Sequence, residues 1–187
     1  LAYQPVGPKA NRLLSLQQHY PQTKFSCVVD NVETGLHLSK IFSAAGETFH
    51  VFIDLNTGMN RSGIMSSKAF ELFKQINNLP GIMLIGLHAY DGHIRNSNLN
   101  ERQQKSDEGF REVVELAAKI EAVIHQPLII VAGGSPAFAT HIKRQVECSP
   151  GKFVFWDWGY KNQFPEAPFD YAALVITRLI SIIDDQT

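Results

Sequence analysis

Short apolar segments alternate along the chain with longer segments in which apolar residues recur every three or four positions. Short segments rich in β-branched residues predict strands, and longer periodic segments predict helices. The predicted strands lie at 1–3, 24–29, 50–54, 82–88, 128–132 and 153–157. The predicted helices lie at 9–19, 31–45, 66–78, 101–125 and 137–145. This alternation indicates an α/β fold in which helices connect parallel strands.

The number of strands leaves two α/β architectures open. The strands are almost continuously apolar, as parallel strands buried on both faces are. A doubly wound open sheet is complete with six strands, whereas a (β/α)8 barrel of the TIM type closes only with eight. Ligands bind beyond the carboxyl ends of the strands in both, so the positions of the polar loops do not decide between them.

Composition and charge exclude several functional classes. Of the 187 residues, 44% are hydrophobic and 19% are charged, which is typical of a folded globular protein. The net charge of -1 provides no field for a phosphate backbone or an anionic membrane, so we expect neither partner. Cys27 and Cys148 are far apart, and no targeting segment or apolar run of about 20 residues is visible. We therefore expect a cytoplasmic protein.

Two loops that follow predicted strands carry candidate ligand-binding side chains. In IDLNTGMNRSG, two glycines bracket Arg61, whose guanidinium suits an anionic oxygen, although an ordinary turn with a solvated arginine is also compatible. In GLHAYDGHIR, His88, Tyr90 and His93 are candidates for ring contact, proton transfer or metal binding. Core packing is the simpler interpretation of any single histidine, and no HxH or HExxH pattern supports a metal.

Two further loops combine glycine with serine. AGGSPAFAT can direct backbone N–H groups and Ser135 at an anion, and the same residues also make an ordinary helix start with Pro136 in its first turn. In CSPGKFVFWDWGY, Gly151 permits close approach of a ligand to the backbone. The aromatic residues of this segment fit either a wall for a planar ligand or core packing.

Five segments together resemble the fold-type III pyridoxal-phosphate enzymes, in the D-threonine aldolase and D-serine dehydratase branch related to the alanine racemase barrel. The segments are LAYQPVGP, NTGMNRSG, GLHAYDGH, GGSPAF and SPGKFVFWDWGY. The resemblance implies an incomplete TIM-type barrel, about strands 3 to 8, within residues 1–161. Residues 162–187 would then be a linker and the first strand of a C-terminal β domain. We expect the chain to be an internal portion of a longer enzyme.

The resemblance also implies a cofactor, pyridoxal 5′-phosphate, and roles for individual residues. Arg61 would reach the phenolic oxygen of the ring, and Tyr90 would lie beside the ring and take part in proton handling, which makes both candidate catalytic residues. Ser149 would stand where racemases carry an arginine that faces the pyridine nitrogen. The phosphate would be held by Ser135 and by N–H groups at Gly134, Gly151 and Lys152.

The reaction implied by the resemblance is cleavage of a β-hydroxy-D-amino acid to glycine and an aldehyde. Dehydration of D-serine or 3-hydroxy-D-aspartate is the alternative, and the neutral Ser149 disfavours a racemase. A non-catalytic pyridoxal-phosphate-binding protein is an alternative of another class. An unrelated doubly wound domain that binds a phosphorylated metabolite is the third interpretation.

The chain departs from the family pattern in two respects. No lysine stands at a strand end, where the family carries its Schiff-base lysine. The divalent metal of this branch, Mn, Mg or Zn, would be bound only through the C-terminal β domain. We therefore expect weak or no cofactor binding and no catalysis from this chain alone, and a homodimer for the full-length enzyme.

Overall fold

The computed structural model describes residues 1–184, in which a parallel sheet carries its long helices on one face. The strands are β1 (Ser26–Val29), β2 (Phe49–Leu55), β3 (Ile82–Ala89), β4 (Ile129–Ala132) and β5 (Glu147–Cys148). The helices are α1 (Lys9–His19), α2 (Val32–Ala44), α3 (Ser66–Ile76), α4 (Leu99–Ile124), α5 (Phe138–His141) and α6 (Trp158–Gln163). Two 3-10 segments occupy Ser135–Ala137 and Lys152–Phe155.

The order of the strands identifies the architecture. The five strands lie side by side in chain order, and every neighbouring pair is parallel. Ala2, in the predicted strand at 1–3, adds one parallel bridge to Cys27. A doubly wound sheet reverses its strand order at a switch point, whereas a barrel wall does not. The fold is therefore part of a (β/α) barrel, as predicted, and not a doubly wound domain.

The two faces of the sheet differ in what covers them. In β2, Val51, Ile53 and Leu55 belong to the main core, which also contains residues of α1 to α4. Phe52 points to the opposite face, because successive side chains of a strand alternate. There it packs with Val28 and Val131 in a small separate cluster. This second face corresponds to the side-chain-filled interior of a barrel.

Local capping explains why the longest helix is longer at its start than predicted. The side chain of Asn98 accepts hydrogen bonds from the N–H groups of Asn100 and Glu101, so α4 begins at Leu99 rather than at 101. At the other end, His125 adopts a left-handed conformation with φ 54°, which ends the helix.

The last predicted strand, 153–157, is wrong. The terminal strand is the short β5, which precedes the Ser-Pro-Gly turn, and Lys152–Phe155 form a 3-10 segment. Gly151 has helical backbone angles, which turn the chain away from the sheet. A short apolar aromatic run does not distinguish a strand from other structures by its pattern alone.

Residues beyond β5 form a second, smaller core. Trp156, Phe164 and Ala167 are buried together. The fully buried guanidinium of Arg102 connects them to α4, because it binds Glu166 and lies over the ring of Phe164. The predicted boundary at 162 between a barrel portion and a β domain stays a prediction.

The last segment of the chain contains the expected first strand of a C-terminal β domain, within residues 162–187. From 171 to 184 it has neither helix nor strand, and Val175, Ile176 and Ile180 are at least 90% exposed. Residues 185–187 lie outside the described part of the chain. None of the described helices combines the length and apolar character needed to cross a membrane.

Candidate functional site

A cavity of about 440 Å³ opens at the carboxyl ends of the strands. Its floor includes Val28 and Val131, which belong to the inner-face cluster. Its wall is formed by the last residues of β3 and β5, by residues that follow β2, β3 and β5, and by the N-terminal segment. The lining residues are Leu1, Ala2, Tyr3, Val28, Arg61, His88, Tyr90, Val131, Glu147, Cys148, Ser149 and Gly151. The cavity thus lies where barrel enzymes place their active sites.

The guanidinium of Arg61 lies between two aromatic rings at this cavity. It is 4.9 Å from the ring centroid of Tyr90 and 5.7 Å from that of Tyr3. It also donates a hydrogen bond to the Tyr3 hydroxyl over 3.4 Å. Stacking on aromatic faces leaves the in-plane N–H donors of an arginine available for an anion.

Two carboxylates hold the backbone that presents Arg61. The hydroxyl of Ser62 donates to Oδ2 of Asp54 over 3.0 Å. The N–H of Gly63 donates to Oδ2 of Asp30 over 3.1 Å. The residues directly after Arg61 are therefore fixed to the ends of β1 and β2.

The ring of Tyr90 is enclosed by two glycines. A Cβ atom at Gly92 would lie 2.5 Å from the ring, and one at Gly134 would lie 3.1 Å from it. Burial raises the pKa of the Tyr90 phenol, and the nearby charge of Arg61 opposes this only in part. At neutral pH the phenol therefore keeps its proton and acts as a hydrogen-bond donor.

The loops after β4 and β5 are joined by side-chain hydrogen bonds. The N–H of Lys152 donates to the hydroxyl oxygen of the buried Ser135 over 3.0 Å. The Ser149 hydroxyl donates to the carbonyl of Gly133 over 2.8 Å. The proton of the Ser135 hydroxyl is left for an anion, whereas that of Ser149 is already used.

Asp91 holds the Gly-Gly-Ser loop, residues 133–135, through hydrogen bonds. Its Oδ1 accepts the N–H of Gly134 over 2.9 Å, and its Oδ2 lies 2.7 Å from Nε2 of His141 and accepts the Ser106 hydroxyl. Asp91, His141 and Ser106 are all buried. Burial alone would raise the pKa of Asp91, but the hydrogen bonds from His141, Gly134 and Ser106 outweigh it and lower that pKa.

Both nitrogens of His141 have partners. Arg144 donates to Nδ1 over 2.8 Å, so the ring proton lies on Nε2 and faces Asp91. Arg144 also binds Asp107 and lies over the ring of Phe110. The pair of Asp91 and His141 is therefore closed to any ligand.

A second pair of an aspartate and a histidine lies in the cavity wall. Asp54 and His88 occupy paired positions of β2 and β3, and Nδ1 of His88 is 2.6 Å from Oδ1 of Asp54. Asp54 is 4% exposed, and His88 lines the cavity. A carboxylate therefore orients the imidazole that faces the ligand space.

The structure brings the predicted site residues into one region. Arg61, Tyr90, Ser149 and Gly151 line the cavity. Gly134 packs against the Tyr90 ring, and Ser135 with Lys152 joins the two adjoining loops. Two N–H groups expected to face a phosphate are bonded within the protein instead, that of Gly134 to Asp91 and that of Lys152 to Ser135.

Two sets of candidates lie elsewhere. His93 is exposed and packs next to Gly58, outside the cavity lining. The aromatic residues near the C-terminus form no wall of the cavity, since Trp156 is buried with Phe164, and Phe155 and Trp158 are 67% and 73% exposed. Core packing explains Trp156 and not the other two.

Sequence reasoning did not identify Tyr3, Asp54, Asp91 or His141 as parts of this region. For Tyr3 the available signal was its position at the end of a predicted strand. Asp54 likewise ends a predicted strand, one strand before His88. For Asp91 and His141 no local pattern indicates a contact across 50 residues of sequence.

The described residues contain no group of three or more His, Cys, Asp or Glu side chains placed to hold a metal ion. No lysine is among the described residues that line the cavity.

Comparison with known proteins adds to this geometry. A sequence model described as "Alanine racemase, N-terminal domain" matches residues 12–157. A D-threonine aldolase from Arthrobacter sp is 26% identical over 185 residues, which cover 94% of this chain and 48% of that protein. The chain spans about half the length of this relative.

Solved structures have the same fold. The crystal structure of D-threonine aldolase from Filomicrobium marinum is similar with a TM-score of 0.79 and 25% identity, over 94% of this chain and 49% of that chain. D-threo-3-hydroxyaspartate dehydratase from Delftia sp. HT23 has a TM-score of 0.64 and 20% identity, over 86% of this chain and 44% of that chain. The second similarity concerns the fold alone.

Proposed function

The chain belongs to the alanine racemase N-terminal domain family, and on that premise we propose that its cavity binds pyridoxal 5′-phosphate in a lyase that acts on β-hydroxy-D-amino acids. The observation that carries the proposal is the convergence of Arg61, Tyr90, Ser149 and Gly151 on one cavity, next to which Ser135 is hydrogen-bonded to Lys152. The similarity to D-threonine aldolases over 94% of the chain favours this branch of the family.

The residues at the cavity fit the cofactor. Among the described residues the Ser135 hydroxyl accepts from Lys152 and donates to none, so its proton is left for a phosphate oxygen. Gly151, the neighbour of Lys152, lines the cavity, and a Cβ there would meet nothing within 4 Å. The N–H of Gly134 serves Asp91, so we assign Gly134 a role in shaping the site next to Tyr90. When bound, pyridoxal phosphate supplies an electron sink for a substrate carbanion.

We assign to the remaining site residues the binding and orientation of the cofactor. Arg61 offers donors to an anionic oxygen of the ring, held in place by its two tyrosine neighbours. Tyr90 contributes a ring face and a protonated hydroxyl. Ser149 gives its proton to Gly133, so it offers lone pairs to a donor on the ligand and no charge.

We propose the aldolase reaction, in which the bond between Cα and Cβ of the substrate is cleaved to give glycine and an aldehyde. Incubation of the product of the complete gene with D-threonine and pyridoxal phosphate tests it. Glycine and acetaldehyde are the expected products. Pyruvate and ammonia from D-serine would instead support a dehydratase, alanine of inverted configuration would support a racemase, and no turnover of any of the three would overturn the proposed activity.

Binding of the cofactor is tested separately from turnover. In the same protein, R61Q is expected to weaken binding of pyridoxal phosphate about tenfold, because it removes a charge-assisted hydrogen bond. R12Q is the matched control, since Arg12 is an exposed residue of α1 outside the cavity. Equal affinities of R61Q and R12Q, measured from the absorbance of the bound cofactor, would contradict the assignment of the site.

A further inference from the structure

The pair of Asp54 and His88 is the part of the cavity that the proposed residue roles do not use. Asp54 and His88 are directly paired across β2 and β3, so their side chains point to the same face. The neighbours Ile53 and Leu87 belong to the main core on the other face. The pair therefore faces the barrel interior, at the height of the cavity.

The hydrogen bond between them defines which ring nitrogen carries the proton. Oδ1 of Asp54 lies 2.6 Å from Nδ1 of His88, and Oδ2 accepts the hydroxyl of Ser62. An ionised carboxylate only accepts hydrogen bonds, so the imidazole proton lies on Nδ1. Carboxylate partners fix the tautomer of histidines in this way.

The other ring nitrogen, Nε2, is left for a ligand. Within residues 1–184 the contact with Asp54 is the hydrogen bond that the His88 ring makes to protein, and the ring lines the cavity. Nε2 of the Nδ1–H tautomer has a lone pair and accepts a hydrogen bond. Arg61 presents donors to the same cavity.

Asp54 also connects His88 to Arg61. One carboxylate oxygen holds the imidazole, and the other holds the residue that follows Arg61. One buried side chain therefore sets the positions of a donor group and an acceptor group on the same cavity.

We infer that His88 contacts the ligand of this cavity through Nε2 as a hydrogen-bond acceptor, and that Asp54 is the positioning residue that holds it in the Nδ1–H form. The ligand then carries an anionic oxygen for Arg61 and a hydroxyl, ammonium or ring N–H donor for His88. The inference rests on the proposed function for the identity of the ligand, whereas the tautomer is a property of the protein without ligand.

The tautomer is measured by 15N NMR of histidine-labelled protein at mildly alkaline pH, with the His88 signals assigned by their loss in H88Q. We expect Nδ1 protonated and Nε2 unprotonated. In D54A the proton is expected to move to Nε2 in a large share of the molecules. S62A is the matched control, because it removes the other hydrogen bond to Asp54 and should leave the tautomer unchanged.

D54L provides the same measurement if D54A does not fold, because leucine keeps much of the size of the side chain and has no atom that accepts the Nδ1–H hydrogen bond. A wild-type protein with the proton on Nε2, or an unchanged tautomer in both Asp54 variants, would overturn the inference whatever the cavity binds.

The ligand contact is tested by adding pyridoxal 5′-phosphate to the labelled protein and following its absorbance and the Nε2 signal together. A shift of the Nε2 signal that saturates with binding supports the contact. Saturable binding that leaves this signal unchanged overturns the contact but not the proposed function. Absence of binding by the product of the complete gene overturns the proposed function, and the ligand contact with it.

Discussion

Two pairs of an aspartate and a histidine lie at the carboxyl edge of the same sheet, and they differ in what surrounds the imidazole. In the pair of Asp54 and His88, Nδ1 meets the carboxylate and the ring lines the cavity. In the pair of Asp91 and His141, Nε2 meets the carboxylate and Nδ1 accepts from Arg144. Only the first pair has a nitrogen left for a ligand.

A contact between a carboxylate and an imidazole therefore does not by itself indicate catalysis. In the second pair, Asp91 holds the loop of Gly134 against Ser106 of α4 and His141 of α5, and the other nitrogen of His141 is bonded to Arg144. It supports the site without touching the ligand space. The two histidines differ in whether the ring nitrogen that does not face the aspartate is accessible to a ligand. The distance between aspartate and histidine gives no information on this accessibility.

The largest expected effect is on folding stability when Asp91 is removed. D91A removes the carboxylate that accepts from the Gly134 N–H, the Ser106 hydroxyl and Nε2 of His141 in a buried region, and we expect it to cost about 3–5 kcal/mol. D54A should cost clearly less, because water in the cavity reaches His88. Urea unfolding of both variants is the measurement.

The control for these two variants is D170A, since the Asp170 side chain is 93% exposed. Its free energy of unfolding should be close to that of the wild type. Equal losses of unfolding free energy in D91A and D54A would contradict the distinction between the pair of Asp91 and His141 and the pair of Asp54 and His88.

The second prediction concerns acid. Because the pKa of Asp91 is lowered in the folded state, its contribution to stability is present above the unfolded value of about 3.9 and is lost as the pH falls through the folded pKa. The difference in stability between wild type and D91N should therefore shrink below about pH 4. A difference that stays constant down to the acid limit of folding would contradict the lowered pKa.

The third prediction is that His141 matters more for folding stability, whereas His88 matters more for cofactor binding. H141Q should destabilise folding by about 2 kcal/mol, since one amide replaces a ring that bonds to both the buried Asp91 and Arg144. H88Q should cost about 1 kcal/mol or less, because its amide can still donate to Asp54. Binding of pyridoxal phosphate by the complete gene product should fall more in H88Q than in H141Q. The same order in both measurements would contradict the assignment.

The smallest expected effects come from a matched pair of serines. S106A removes a hydrogen bond to Asp91 in a buried region and should cost about 1 kcal/mol. S62A removes a hydrogen bond to Asp54 from an exposed residue and should change stability by about 0.5 kcal/mol or less. A larger loss in S62A than in S106A would invert the comparison.

The sequence predicts much of the fold, because periodicity and β-branched runs are local properties. Helix α1 has the predicted boundaries, and β1 to β4 lie within a residue or two of theirs. The strand at 153–157 is wrong for a physical reason, since a turn at Gly151 removes an aromatic run from the sheet. The choice between a barrel and a doubly wound sheet needed the strand order, which is a property of long-range pairing.

The candidate site, like the fold, has features that local sequence predicts and features that depend on long-range pairing. Loops with glycine, serine and arginine after strands identify Arg61, Tyr90 and Ser135 as candidates, because all strands of a parallel sheet end at one edge. The register between β2 and β3, which pairs Asp54 with His88, is not readable from either strand alone. From the sequence alone His88 is a single histidine, for which core packing is the simpler interpretation.

The enclosure of Tyr90 has a consequence for variation among relatives. Its ring occupies the volume that side chains at positions 92 and 134 would need, although the two glycines are 42 residues apart. A side chain at position 92 would displace the ring, and one at position 134 would require the ring or the backbone of Gly92 to shift by a few tenths of an ångström. Substitution should therefore be correlated across the three positions, with larger residues at 92 or 134 accompanying a smaller residue at 90. In an alignment of relatives, these positions are expected to covary as one unit.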